Sequence, residues 1–200
     1  MGSKKKRKNC ITLFLVLLFF GISVFIAVKS IHILYPLKHV ALIERYAVKY
    51  QLSPVLVHSV INAESRYREQ AKSAKGASGL MQLMEVTADW GAEEIALPDY
   101  HYGRIFEPAI NIELGCWYLG KLLQQYNGNE KVALAAYNAG SGNVAKWLAD
   151  KDYSSDGVTL KQIPFRETRE YIEKIERYKK VYEILLMLQS KPWSGHIFFS

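Results

Sequence analysis

Glu64 is the residue of this sequence whose type and position best suit acid catalysis. A serine in the N-cap position and Pro54 at the first helical position predict a helix that begins at Pro54. Val57, Val60 and Ile61 recur at helical spacing, which places Glu64 on the apolar stripe in the last turn. Apolar surroundings and the negative end of the helix dipole both raise the pKa of a carboxyl group. An acid that stays protonated near neutral pH can act as a general acid.

A polar loop rich in small residues, 66–79, follows Glu64 directly. Its glycines, Gly76 and Gly79, allow a ligand to approach the backbone closely. Each feature has an ordinary explanation, because most glutamates at helix ends are solvated and most such loops are only connections. Their direct succession favours a functional site.

Four motifs occur in order along the chain. They are AESRY at 63–67, GASGLMQLM at 76–84, AYNAG at 136–140 and PFRETREY at 164–171. This ordered set resembles the catalytic domain of the soluble lytic transglycosylases, which cleave peptidoglycan. The resemblance covers most of the chain and implies an all-α, lysozyme-like fold.

The resemblance also implies a reaction. It predicts cleavage of the β-1,4 bond between N-acetylmuramic acid and N-acetylglucosamine, with Glu64 as the catalytic acid and then the base. The muramic acid 6-hydroxyl then attacks its own anomeric carbon and forms a 1,6-anhydro ring, a reaction favoured by proximity. Ordinary glycosidases need a second carboxylate. We find no obvious one near Glu64.

Six further residues match substrate-cleft positions of the family. Ser73 and Gln82 match positions that hydrogen-bond the sugars, and Met84 matches one that packs on them. Tyr137 matches the residue that orients the acid by a hydrogen bond. The remaining two, Asn138 and Glu167, match cleft-lining positions.

Some of these residues have structural alternatives. Tyr137 could be a core tyrosine, and Glu167 could be a carboxylate favoured by a helix N-terminus. We interpret Tyr171 and Asn111 as structural. One departure from the family pattern is Glu85, where a proline is usual; either residue suits a first helical turn.

Two other functions remain open. The first is a hydrolytic muramidase of the goose-type lysozyme kind, which would use the same scaffold. The second is a catalytically silent protein that binds the cell wall, although binding alone does not demand a buried acid. The reaction products would separate these possibilities.

The basic charge of the chain is concentrated at its N-terminus. The run from Lys4 to Lys8 contributes five charges, and without it the formal charge falls from +7 to +2. We therefore expect no nucleic-acid partner. Cys10 and Cys116 would lie on opposite sides of a membrane, and no metal-ligand spacing occurs, so we expect no disulfide and no cofactor. Protein partners are not predictable from the sequence.

An apolar segment follows the basic run. Residues 11–28 carry no charge, and 11–34 is long enough for a single membrane span. The alternatives are a cleaved signal peptide, for which no convincing cleavage site is present, and a core helix. The positive-inside rule predicts that residues 1–10 are cytoplasmic and that the residues after about 35 lie on the extracytoplasmic side.

The rest of the chain shows helical patterns and no extended strand pattern. We predict helices near 39–50, 54–64, 85–91, 108–126, 131–137, 144–148 and 167–188. The segment 138–142 is too rich in glycine to continue a helix. These elements predict one all-α domain over 36–190, followed by a tail at 191–200.

Overall fold

The computed structural model describes residues 2–190 and the side chains of 13–189. The chain separates into two compact units at Pro36 and Leu37. The predicted tail at 191–200 lies outside the described residues. Apart from isolated β-bridges, the regular structure of the described chain is helical.

The first unit is a single helix, α1 (Gly2–Leu34). Its stretch Leu13–Leu34 has a mean hydropathy of 2.5, and none of it is buried. Its length and composition suffice for one membrane crossing, although a signal sequence meets the same criteria. Since this stretch has no buried face, the alternative of a core helix is disfavoured.

The second unit contains seven α-helices in its described part. They are α2 (Val40–Lys49), α3 (Pro54–Glu64), α4 (Glu85–Glu94), α5 (Pro108–Gln125), α6 (Glu130–Ala139), α7 (Ser141–Ala149) and α8 (Arg166–Ser190). A short 3₁₀ helix, Tyr102–Phe106, precedes α5. The predicted helices are thus present.

The helix α3 is part of the core; it packs most extensively against α8 and also contacts α2. Val57, Val60 and Ile61 are fully buried, as their helical spacing predicts. The stripe therefore anchors α3 in the core and holds its C-terminal residue, Glu64, at a fixed place. The helix α5 contacts α2, α4 and α6, and α6 contacts α7 and α8.

The non-helical segment between α6 and α7 is shorter than the sequence predicts. The prediction that 138–142 is too rich in glycine for helix is wrong, because α6 extends to Ala139 and α7 begins at Ser141. Gly140 alone breaks the helix, with φ 86° and ψ 142°. Consequently Asn138 is held in a helical turn rather than in a loop.

Candidate active site

A cleft with a volume of about 340 Å³ opens at the C-terminal end of α3. Its lining comprises Glu64, Ser73, Ala74, Lys75, Ala77, Gln82, Met84, Tyr137, Asn138 and Glu167. The fold thus brings together all seven residues that the sequence singled out. They come from α3, the loop after it, the last turn of α6 and the first turn of α8.

Glu64 is the last residue of α3, and its side chain keeps partial exposure to the cleft. Burial of the carboxyl group raises its pKa from the ordinary value of 4.5 to about 7, and the charge of Glu167 acts in the same direction. Interactions with Tyr171 and Lys174 lower the pKa. A carboxyl group with this pKa can donate a proton at neutral pH and later accept one.

The chain reverses sharply after Glu64. Arg66 and Tyr67 both have positive φ, at 52° and 59°. The Tyr67 side chain is buried, and its hydroxyl is hydrogen-bonded to Nδ1 of the buried His58 on α3. Two consecutive left-handed residues cost free energy, which the buried contact offsets. This turn directs residues 68–79 back across the end of α3.

The loop after this turn is tied together by its own polar groups. The Ser73 hydroxyl accepts a hydrogen bond from the Ala77 amide at 3.0 Å. The Gln82 amide donates to the carbonyls of Ala71 at 3.1 Å and Gly79 at 2.9 Å. The Gln82 nitrogen is therefore occupied within the protein, and its Oε1 atom remains as an acceptor for a ligand in the cleft.

Asn111 is the structural residue that the sequence indicated. It is fully buried, and its Oδ1 atom accepts from the Met81 amide at 2.7 Å. Its Nδ2 atom donates to the carbonyls of Ser78 at 3.1 Å and Ile105 at 2.9 Å. These bonds join α5 to the backbone that carries Gln82. Gly79 packs so closely on Asn111 that a Cβ atom there would lie 2.1 Å from Nδ2.

The predicted hydrogen bond from Tyr137 to Glu64 is wrong. The Tyr137 hydroxyl instead donates to the Met81 carbonyl at 2.8 Å. A hydroxyl has one proton, so Tyr137 has none left to donate to Glu64. Packing sets this outcome, since Tyr137 on α6 lies beside Tyr118 of α5 and reaches the Met81 turn.

Tyr171 of α8 acts on Glu64 instead. Its hydroxyl is buried and has no partner within standard hydrogen-bond geometry in the described part of the chain. It faces the Glu64 carboxyl closely enough to favour the carboxylate and to lower the pKa of Glu64. The sequence interpretation of Tyr171 as a core residue was incomplete, because the side chain is both buried and directed to the site.

The remaining cleft residues form its open side. Asn138 Oδ1 accepts a hydrogen bond from the buried Thr168 hydroxyl at 2.8 Å, which orients the amide. Glu167 is 76% exposed and lies 3.8 Å from the ammonium group of Lys75. Met84 is 43% exposed and offers an apolar contact surface. Glu167 is thus a second carboxylate in the same cleft as Glu64. The family motif indicated its place in the cleft, whereas its spacing from Glu64 did not.

Sequence reasoning missed Lys75, Tyr171 and Lys174. A signal for two of them was present, since Glu167, Tyr171 and Lys174 are separated by four and three residues and so share one helix face. Lys75 gave no such signal, because it lies in a loop. No group of three or more His, Cys, Asp or Glu side chains suited to a metal ion occurs within the part of the chain that is described.

The chain belongs to the transglycosylase SLT domain family, whose model matches residues 41–158. Among curated proteins, the soluble lytic murein transglycosylase of Salmonella typhimurium is 37% identical over 150 residues, covering 74% of this chain and 23% of that protein. The membrane-bound lytic murein transglycosylase C of Haemophilus ducreyi is 28% identical over 172 residues, covering 72% and 45%.

A solved structure is also similar. The crystal structure of the lytic transglycosylase Slt from Pseudomonas aeruginosa matches with a TM-score of 0.69 and 33% identity, covering 78% of this chain and 25% of that one. The predicted all-α fold of this family is therefore confirmed. The chain spans about a quarter of the length of the first curated relatives that it matches.

Proposed function

We propose that this protein is a membrane-anchored peptidoglycan lytic transglycosylase. Its substrate would be the glycan strand, cleaved between N-acetylmuramic acid and N-acetylglucosamine with formation of 1,6-anhydro ends. The observation that carries the proposal is the Glu64 carboxyl group, whose pKa burial raises to about 7 in a cleft built from the family motifs. Relatives named lytic murein transglycosylases support the same reaction.

In the first step, protonated Glu64 donates its proton to the glycosidic oxygen. The bond from this oxygen to the anomeric carbon breaks, and the N-acetylglucosamine side leaves as an alcohol. Positive charge develops on the muramic acid ring, where its 2-acetamido group stabilises it. Burial of Glu64 keeps the proton available at neutral pH.

In the second step, the ionised Glu64 accepts the proton of the muramic acid 6-hydroxyl. The oxygen attacks the anomeric carbon of the same ring and closes the 1,6-anhydro product. Glu64 is protonated again, so the cycle consumes no water. Tyr171 and Lys174 favour the ionised carboxylate and thereby stabilise the state between the two steps.

The other cleft residues would bind the sugars. Ser73 and Gln82 offer acceptor oxygens on one wall, and Asn138 an oriented amide on the other. Met84 would pack against a ring face. For Tyr137 we propose an indirect role, because its bond to the Met81 carbonyl fixes the turn that presents Gln82.

Hydrolysis is the second candidate, because Glu167 lies in the same cleft as Glu64. In an inverting hydrolase a second carboxylate activates a water molecule. Glu167 is exposed at the cleft rim, where it forms an ion pair with Lys75 and would be able to take that role.

The products distinguish the two reactions. Murein digested by the full-length chain in water labelled with heavy oxygen should give anhydro ends that carry no label. Labelled reducing ends that disappear in Glu167→Gln would establish the hydrolase instead. Glu64→Gln is the negative control in both cases, since each reaction requires the acid.

The membrane part of the proposal concerns α1. Its apolar stretch and the preceding basic run suit a single-pass anchor with residues 1–10 in the cytoplasm and the catalytic domain outside. Some relatives are named membrane-bound transglycosylases, which agrees with this arrangement. The anchor would keep the enzyme at the inner face of its polymeric substrate.

A further inference from the structure

Lys174 lies directly behind the catalytic end of α3. Its ammonium group donates a hydrogen bond to the Ala63 carbonyl at 2.7 Å, and Ala63 is the residue before Glu64. The last carbonyls of a helix have no partner within the helix. Lys174 supplies one of these partners from α8, the helix against which α3 packs most extensively.

We propose that Lys174 is a positioning residue for Glu64. The Lys174 ammonium group fixes the last turn of α3 and stabilises the ionised Glu64 carboxylate. This inference rests on the proposed function, because it concerns the same acid. Neither the family motifs nor the sequence analysis includes Lys174.

The groups that face Glu64 define what Lys174 contributes. The helix α8 presents Glu167, Tyr171 and Lys174, and α6 presents Tyr137. Glu167 favours the protonated acid, and Tyr171 favours the carboxylate as a neutral donor. Lys174 is the cation of this set, so its charge directly opposes the effect of burial.

The position of the ammonium group is well defined by its neighbours. The Lys174 side chain is half-buried and lies 5.7 Å from the Tyr178 ring centroid. Burial and the nearby cations Arg66 and Arg177 lower the pKa of Lys174, whereas Glu64 raises it. A half-buried cation is screened by water less than an exposed one, and its effect on Glu64 is correspondingly larger.

The chemistry explains why such a cation is useful. Glu64 must be protonated before the bond breaks and ionised immediately afterwards. Burial alone disfavours the second state. A positive charge held at the Ala63 carbonyl, on a residue that is not part of the cleft lining, stabilises that state without occupying the cleft.

The test measures the pKa of Glu64 directly in the full-length chain in detergent micelles. Glutamate labelled with ¹³C at the side-chain carboxyl reports each titration by NMR, and Glu64→Gln identifies the signal of Glu64. Lys174→Met should raise this pKa by roughly 0.5–1 unit, at or below the lower end of the range for a nearby opposite charge. Lys174→Arg should leave it nearly unchanged.

Lys180→Met is the matched control, because it removes an exposed cation from the same helix. It should leave the pKa of Glu64 unchanged. The alkaline limb of the pH–rate profile on murein should move upward in Lys174→Met by the same amount as the pKa. If Lys174→Met does not fold, Lys174→Gln removes the charge while it retains a side-chain donor.

An unshifted Glu64 pKa in the charge-removing variant would overturn the proposal, as would an equal shift in Lys180→Met. Lower activity with an unchanged pKa would give Lys174 a merely structural role. The proposed function fails by a different result, namely reducing ends in place of anhydro ends, which leaves the NMR titration interpretable.

Discussion

Tyr137 donates its hydroxyl proton to the Met81 carbonyl at 2.8 Å, which ties the last turn of α6 to the segment that carries Gln82. Tyr171, from α8, interacts with the Glu64 carboxyl instead. Two tyrosines beside one cleft thus interact with different groups. Removing each hydroxyl in turn therefore separates the effect on the position of Gln82 from the effect on the pKa of Glu64.

We expect Tyr171→Phe to raise the pKa of Glu64, because a donor that favours the carboxylate is lost. The alkaline limb of the kcat/KM profile should move to higher pH. At neutral pH kcat should fall, since the ionised state between the two steps is less stable. Steady-state rates on isolated murein across the pH range measure both effects.

Tyr137→Phe is the matched comparison for that variant. It removes the bond to the Met81 carbonyl and should raise KM more than it lowers kcat, with the alkaline limb unmoved. If Tyr137→Phe moved the limb and Tyr171→Phe did not, the assignment of the two tyrosines would be reversed.

Glu64→Gln should abolish cleavage while the protein still folds and binds glycan. The amide has nearly the same shape but no proton to donate. General acid–base catalysis contributes roughly 10²–10⁴-fold, and here one residue serves both steps. Release of soluble muropeptides measures the loss, and co-sedimentation with murein measures the binding. Residual activity above roughly a tenth of normal would contradict the assignment of Glu64 as the acid.

The raised pKa of Glu64 also predicts how stability depends on pH. Below the ordinary pKa of 4.5 the carboxyl is protonated in both the folded and unfolded states. As the pH rises from 4.5 to about 7 the unfolded chain ionises this carboxyl group while the folded protein keeps it protonated, so stability falls across this window and levels off once the folded group also ionises. Above it, Glu64→Gln should be more stable than the wild type by up to about 3 kcal/mol.

Urea unfolding of both proteins at each end of this window measures the difference. The two free energies of unfolding should be close below the ordinary pKa and should separate above pH 7. A constant difference at all pH values would show that burial does not penalise the Glu64 charge.

We expect Gly79→Ala to destabilise the domain by roughly 2–5 kcal/mol, because it combines backbone strain with steric overlap. Gly79 has φ 81°, and a Cβ atom would lie 2.1 Å from Asn111 Nδ2 and 2.9 Å from the Ile105 carbonyl. Gly142→Ala is the control, since no heavy atom lies within 4 Å of the place that a Cβ atom would take, and the residue is helical. It should be neutral or slightly stabilising. The two thermal unfolding midpoints test this contrast.

The membrane topology can be tested with the cysteines of the chain. In cells freed of wall, a membrane-impermeant maleimide should label Ser155→Cys, which lies at an exposed loop position, before permeabilisation. Cys10 should be labelled only afterwards. Cys116 is fully buried and should remain unlabelled in the folded protein, which makes it an internal control. Labelling of Cys10 in intact cells would reverse the proposed orientation.

The sequence predicted the helices with strong periodicity and the residues that meet in the cleft. It did so because burial of α3 at Val57, Val60 and Ile61 fixes where the chain delivers Glu64. The family motifs supplied the other lining residues. Local patterns of this kind are predictable from the sequence because each one depends on a single element or motif.

The partner of each tyrosine could not be predicted in this way. Tyr137 and Tyr171 each lie within four residues of a polar residue of their own motif. Spacing alone therefore does not show which hydroxyl reaches Glu64. That depends on how α6 and α8 pack around α3, a tertiary property. The same packing determines that Lys174 reaches the Ala63 carbonyl from a distant part of the sequence.

The corner between α6 and α7 consists of Gly140 alone, with φ 86° and ψ 142° and with no heavy atom near its missing Cβ. Residues of L configuration disfavour this combination of angles, and its mirror image lies outside their main allowed regions as well. Position 140 therefore selects for a residue without a Cβ atom, although the surroundings would accommodate a side chain. A saturation library at this position should return glycine alone, because the backbone angles and not the surrounding volume are the constraint.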